Sequence, residues 1–312
     1  MRIVFMGTPE FAVPTLERVV LAGHKVALVL TQPDRPKGRG GRLSPSPVKE
    51  AALRLGLGLY QPERVRRPEV VELLRALASN AMVVVGYGQI IPQSIIDLPP
   101  YGIINVHASL LPRYRGAAPV QWAVANGDKV TGVTAMRIDA GLDTGDVLLR
   151  YETAIGPEED ALELGARLAV AGAELLVETL DALEAGTLRP APQNDAEATL
   201  APILKKDDGL VDWNAPATAI ANRARGFLPW PGAWTWFRGQ VFHIWKARPA
   251  GAGVGACGAL TVERRRLLAQ CGVGTRLELL EVQQEGRKRM GAEAFLNGVH
   301  VGDNEILGVK AS

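Results

Sequence analysis

At 312 residues the chain is about twice the length of a typical domain, so two domains are expected. Hydrophobic residues make up 47%, enough for a sizeable core, yet no apolar run reaches the roughly 20 residues that span a bilayer, which excludes a transmembrane helix and a membrane partner. The net charge of +2 is unevenly spread, because residues 1–204 hold 20 Lys/Arg against 23 Asp/Glu and residues 205–312 hold 15 against 10. Basic residues also gather at 32–49, where Arg35, Lys37, Arg39, Arg42 and Lys49 face only Asp34. Such a distribution suits a polyanionic partner better than a small neutral one, although a solvated charged surface looks the same from charge alone.

In chain order, short apolar runs alternate with helix-length amphipathic segments. Strands are expected at 2–6, 25–31, 81–85, 103–106 and 133–138, and helices at 10–22, 47–56, 68–79 and 117–126. The first run, Met1-Arg-Ile-Val-Phe, reads as a strand rather than a signal peptide, which predicts a cytoplasmic location. The alternation predicts an α/β fold, a doubly wound, mostly parallel Rossmann-like sheet with its ligand site beyond the carboxyl ends of the strands. A long helix at 158–184 closes a catalytic domain of residues 1–189, followed by a Pro-rich polar linker at 190–204. After a helix at 216–225, Gly turns and β-branched or Trp-rich segments predict a small antiparallel β-barrel (OB-like) domain at 205–312, an architecture often used to hold nucleic acid. Cys257 and Cys271 lack Cys-x-x-Cys spacing and neighbouring histidines, so free thiols are expected and no metal site.

The first strand enters Gly7-Thr-Pro-Glu-Phe-Ala12, where a dinucleotide site would need Gly-x-Gly-x-x-Gly. Only the first glycine is present; Pro9 lacks an amide hydrogen and Glu10 adds like charge beside a pyrophosphate. A doubly wound sheet without NAD follows. In Gly102-Ile-Ile-Asn-Val-His-Ala-Ser-Leu-Leu-Pro112, Asn105 and His107 end a buried strand two residues apart, so both side chains point to one face. They could be an ordinary hydrogen-bonded pair at a strand end. Against that stands their place at the expected functional edge, where an amide donor and an imidazolium can both stabilise an oxyanion. Asp143, within Asp139-Ala-Gly-Leu-Asp-Thr-Gly-Asp146, could hold that imidazole protonated or relay a proton, while Asp139 and Asp146 read equally well as turn residues. Ser109 lacks the Gly-x-Ser-x-Gly elbow of a serine hydrolase.

Asn105-Val-His107, Ser109-Leu-Leu-Pro112 and Leu142-Asp-Thr-Gly145 together resemble the folate-dependent formyltransferases. Gly7-Thr-Pro-Glu-Phe-Ala12, residues 31–40, Pro45-Ser-Pro-Val-Lys49, Arg113-Tyr-Arg-Gly-Ala-Ala-Pro119, Lys206-Asp-Asp-Gly209 and Pro229-Trp-Pro-Gly232 are similar to the branch that formylates methionyl-tRNA. The resemblance covers nearly the whole chain. It implies transfer of the formyl group of 10-formyltetrahydrofolate, as co-substrate and without a metal, to the α-amino group of initiator methionyl-tRNA. The family's catalytic asparagine, histidine and aspartate fall on Asn105, His107 and Asp143. Folate would lie against Ser109, Leu110, Leu111 and Pro112, with the backbone of Val85, Gly86, Tyr87 and Gly88 lining the pterin pocket. Arg39 and Arg42, on the basic loop, would meet RNA. Of two spaced lysines usual in the interdomain segment, Lys206 matches the second and Ile203 stands in place of the first. A formyltransferase acting on an amino sugar nucleotide or glycinamide ribonucleotide would carry the same triad but needs no basic second domain. A non-catalytic RNA-binding module would have no use for the triad.

Overall fold

The computed structural model describes residues 1–37, 42–302 and 305–310. Two compact units emerge: Met1–Ala117 with Val130–Ala154 and Gly165–Ala201, and Ala118–Lys129 with Ile155–Leu164 and Pro202–Ser312.

In the order of the chain, the elements begin with β1 (Arg2–Gly7), α1 (Val13–Leu21), β2 (Lys25–Leu30), the antiparallel pair β3 (Arg35–Lys37) and β4 (Arg42–Ser44), α2 (Pro47–Arg54) and β5 (Leu59–Tyr60). There follow α3 (Pro68–Ala76), β6 (Ala81–Val85), α4 (Gln93–Ile96), β7 (Ile103–His107), β8 (Arg115–Gly116) and α5 (Pro119–Ala125), the last in the second unit. Then come β9 (Val130–Arg137), β10 (Val147–Ala154), α6 (Ala161–Glu184) and β11 (Leu200–Ala201). Seven strands of the first unit form one sheet in the order β10-β9-β7-β6-β1-β2-β5. The five strands from β7 to β5 pair in parallel, while β9 and β10 add antiparallel. The mostly parallel expectation is met, and its cause is visible in the side chains: β6 is buried throughout and β1 nearly so, as expected of strands covered on both faces. The helices end where local chemistry dictates. The Ser46 hydroxyl accepts the Lys49 amide at 3.0 Å to open α2, and Gly56, at φ 66°, lies just past its end.

The strand order reverses between β1 and β6, a topological switch point. There the Thr8 hydroxyl donates to the Tyr87 carbonyl at 3.0 Å and the Gln32 amide donates to the same oxygen at 3.2 Å. Three strand-end loops are thereby tied together at the switch point.

The second unit adds α7 (Ala217–Gly226), β12 (Ala233–Phe237), β13 (Gln240–Ala252), β14 (Leu260–Glu263), β15 (Arg266–Cys271), β16 (Thr275–Gln284), β17 (Met290–Gly291) and α8 (Ala292–Gly298). Its strands form a separate antiparallel sheet ordered β12-β13-β16-β15-β14, with β17 on β16. Two-residue turns at Arg238–Gly239 and Arg264–Arg265 have positive φ at both positions, the geometry whose twist matches antiparallel strands. Phe237, Phe242 and Phe295 meet at centroid separations of 5.4 to 5.8 Å in the core. Both cysteines are free thiols, and burial pushes Cys271 up to about 12.

Glu278 is the buried charge of this sheet, bonded to Arg266 at 2.7 and 2.8 Å and to Arg248 at 2.9 Å. Arg266 first, then Arg248, holds its carboxyl at about 2 against the opposing effect of burial. A depressed folded value means stability that is present above the unfolded value near 4.3 and is lost as pH falls towards 2. Because both arginines are half-exposed, Glu278→Gln is expected to cost about 2 kcal/mol at pH 7. Urea unfolding across pH 2 to 7 checks this: the gap between variant and parent should close in acid. A gap unchanged at pH 2 would contradict it.

Candidate active site and nucleic-acid interface

The register places Asn105 between Val84 of β6 and Met136 of β9, and His107 opposite Thr134. Asn105 and His107 therefore share one sheet face at the carboxyl end of β7, as their spacing predicts. Asp143 joins them from the turn between β9 and β10. Its Oδ1 lies 3.5 Å from Asn105 Nδ2, and its Oδ2 lies 3.7 Å from His107 Nδ1. The other ring nitrogen, Nε2, is 2.8 Å from the Tyr114 carbonyl, an acceptor only, so Nε2 carries the hydrogen of that bond. His107 is only 6% exposed, which leaves its Nδ1 edge towards Asp143 as the reactive one.

The carboxylate of Asp143 is asymmetrically used. Oδ2 accepts the Gly116 amide at 2.8 Å, whereas among the described residues Oδ1 has only the long Asn105 contact. Gly116, at φ 122°, runs so close to the backbone that a β-carbon there would sit 2.7 Å from the Ala201 carbonyl oxygen. Asp143 itself sits at φ 52°, a left-handed position that few side chains adopt. Asp139 is a turn residue, accepting the Gly141 amide at 3.0 Å and the Thr144 hydroxyl at 2.8 Å. Among the described residues, no group of three or more His, Cys, Asp or Glu could hold a metal ion.

The candidate folate residues flank this edge. Val85 ends β6 and Gly86 to Gly88 lie directly beyond it, with Val85 and Tyr87 buried and the glycines exposed at φ 57° and 80°. Peptide groups, rather than side chains, therefore face outward there. Ser109 is fully buried: its hydroxyl donates to the Arg113 carbonyl at 2.6 Å, so the side chain shapes the turn. Thr134 donates to the Ser109 carbonyl at 2.7 Å and accepts the Leu111 amide at 3.1 Å, and Leu111 packs with Met136 and Val147. Pro112 is buried, and Leu110 is the half-buried member of the turn.

Sequence reasoning missed Arg115 and Gln193. Gln193 Nε2 donates to the carbonyls of Asp143 and Gly145, each at 2.8 Å, and its Oε1 accepts from Arg115 at 2.9 and 3.1 Å. Gln193 lies in the stretch read as a linker, and nothing local in Pro-Ala-Pro-Gln-Asn marks a bond to residues some fifty positions earlier.

Of the residues expected to meet RNA, Arg39 and the side chain of Arg42 lie outside the described residues; the Arg42 backbone pairs with Lys37 in the β3–β4 ladder. In the second unit, Ile203 is exposed and Lys206 lies with its ammonium 5.4 Å above the Trp234 ring. Trp234 packs edge-on to Trp236 at 5.6 Å, Lys310 sits 5.6 Å over Trp236, His243 stacks on Trp245 at 5.8 Å, and Arg289 covers Trp245 at 5.1 Å. Burial first, then the Lys206 charge, lowers the pKa of His243. Aromatic faces interleaved with cations suit bases and phosphates. A cavity of about 1240 Å³ in the same unit has a different character. Its wall carries Arg225, Lys246, Arg248 and Arg289 against five carboxylates, so it is no polyanion site.

The chain matches the family model described as formyl transferase over residues 1–180, and that of the formyl transferase C-terminal domain over residues 203–300. It is 66% identical over 308 residues to the methionyl-tRNA formyltransferase of Solibacter usitatus and 58% identical over 309 residues to that of Koribacter versatilis, covering 99% of both chains in each comparison. Among solved structures, a sugar 3N-formyl transferase determined with dTDP and 5-N-formyl-THF has a TM-score of 0.67, covering 92% of this chain and 99% of that one. At 16% identity, the likeness is one of fold. An N-formyltransferase from Helicobacter canadensis, in complex with folinic acid and dTDP-3-aminofucose, also scores 0.67 at 16% identity, over 90% of this chain and 98% of that one. With both domain models matched in order, and full-length relatives so similar, the chain belongs to the formyl transferase family.

Proposed function

We propose that this enzyme transfers the formyl group of 10-formyltetrahydrofolate to the α-amino group of initiator methionyl-tRNA in the cytoplasm, and that Asn105, His107 and Asp143 carry the step. The observation behind the assignment of residues is the convergence of amide, imidazole and carboxylate on one strand edge, in a chain 66% identical throughout to a methionyl-tRNA formyltransferase.

Folate supplies an acylated nitrogen whose formyl carbon is electrophilic. Exposed Gly86 and Gly88 at the switch point support a folate site there, because they offer bare peptide groups to the amide-like edge of its flat ring. Attack by the neutral α-amine drives negative charge onto the formyl oxygen, where the Asn105 Nδ2 and His107 Nδ1 hydrogens stabilise it. His107 Nδ1 faces Asp143 at 3.7 Å, while Nε2 donates to the Tyr114 carbonyl and fixes the ring's direction. Asp143 Oδ1, the oxygen not held by Gly116, accepts the proton that the amine nitrogen must lose. That proton passes to the departing folate nitrogen as the C–N bond breaks. Lys206 and the partly exposed Trp236, which is backed by buried Trp234, provide cation and stacking surface for the tRNA, together with Arg39 and Arg42.

A panel of acceptors tests the reading: charged initiator tRNA, glycinamide ribonucleotide and an amino sugar nucleotide, each with 10-formyltetrahydrofolate. Transfer to tRNA should exceed the others by at least about 10³ in kcat/KM, because the small acceptors leave the cationic face unused. Preference for either small acceptor would overturn it.

A further inference from the structure

Residues 193–201 hold both ionisable members of the candidate triad from behind. Gln193 spends both hydrogens of its Nε2 on the Asp143 and Gly145 carbonyls, at 2.8 Å each, thereby bracing the turn that keeps Asp143 at φ 52°. Arg115, buried to 7% exposure, fixes the other end of that amide with Nε and Nη2 and continues to Asp195 at 2.8 Å. The same segment then reaches the backbone that holds the histidine. Thr199 accepts the Tyr114 amide at 2.8 Å on its hydroxyl oxygen and the Arg115 amide at 2.8 Å on its carbonyl, and Leu200 and Ala201 pair with Arg115 and Gly116. The Tyr114 carbonyl holds His107 Nε2, and the Gly116 amide holds Asp143 Oδ2.

We propose that Gln193, anchored by Arg115, is a positioning residue for formyl transfer: it holds the Asp143 turn in the left-handed conformation that aims Oδ1 at the acceptor amine. The proposal rests on Asp143 being the reacting carboxylate. The left-handed region is sparsely populated by any residue other than glycine, even aspartate, so the aim of Asp143 depends on the bonds around it. A loosened turn would displace Oδ1 by a fraction of an ångström, enough to slow proton transfer while leaving distant binding contacts intact.

Gln193→Glu preserves size and the acceptor for Arg115 but sets a carboxylate oxygen against two carbonyl oxygens. It should lower kcat by about 10- to 100-fold, with KM for folate and for charged tRNA changed by less than about threefold. Arg115→Met should do the same, and Arg115→Lys should recover part of the loss. A double-mutant cycle distinguishes positioning from general support of the fold. In an Asp143→Asn background, where no carboxylate remains to be aimed, Gln193→Glu should cost less than about threefold in kcat. Gln193→Met, neutral and of similar length, repeats the cycle should the glutamate variant melt early. Wild-type kcat in both Gln193 variants, or equal losses with and without the Asp143 carboxylate, would overturn the proposal. Near wild-type kcat for Asp143→Asn alone would instead sink the reading of Asp143 on which it stands.

Discussion

Asn105→Ala, His107→Ala and Asp143→Asn are each expected to lower kcat by about 10² to 10³-fold while folate affinity stays near that of the parent, the usual cost of removing one group that acts on the transition state. The three side chains approach one another only loosely, at 3.5 and 3.7 Å, longer than a well-formed hydrogen bond. In the proposed mechanism their bonds tighten as charge develops, so the loss is expected in kcat rather than KM. His107 carries a second role, because its Nε2 bond to Tyr114 sets the ring's direction. His107→Gln, which can keep that bond through its amide, should retain more folded stability than His107→Ala without regaining the rate. Steady-state kinetics beside a folate titration check this. Wild-type turnover in a folded His107→Ala enzyme would remove it from the mechanism.

Affinity for charged tRNA is expected to fall steeply with salt, while that for folate barely moves. Lys206 and Lys310 lie over tryptophan rings, and residues 205–312 carry a surplus of five positive charges, 15 against 10. If four phosphates are neutralised, the logarithmic slope is about −3, or roughly a 60-fold loss between 50 and 200 mM salt. Trp236→Ala should weaken tRNA binding without flattening that slope, since a lost ring removes stacking rather than charge. Lys206→Ala and Arg42→Ala should each reduce the slope by somewhat less than one. A salt-insensitive KM for tRNA would detach the basic second unit from RNA.

What the sequence made legible, and what it hid, follows from range. The parallel strands β1, β6 and β7 stand out as apolar runs, and Asn105 with His107 breaks the last of them two residues apart. Helix α6 is visible from its length, yet begins at Ala161 because Asp160 accepts the Leu162 and Glu163 amides at 2.8 and 2.9 Å. Strand β10 passed unnoticed, since beyond Val147 and Leu148 it lies largely open at the sheet edge and lacks a buried run. The turn Arg264–Arg265 adopts positive φ without glycine or asparagine, so turn chemistry gave no sign of it. The bonds of Gln193 join residues far apart in the chain, and only the folded backbone brings its amide beneath Asp143. Asp143 itself was readable as a carboxylate in a glycine-rich turn, whereas the choice of Oδ1 as its open oxygen needed Gly116 in place.

The most direct measurement follows the formyl carbon itself. With 10-formyltetrahydrofolate labelled in the formyl group and charged initiator tRNA in a single turnover, label should appear on the methionine α-nitrogen, at a rate that collapses in Asp143→Asn and His107→Ala. Label that never reaches methionine, or reaches it equally fast in both variants, would contradict the account.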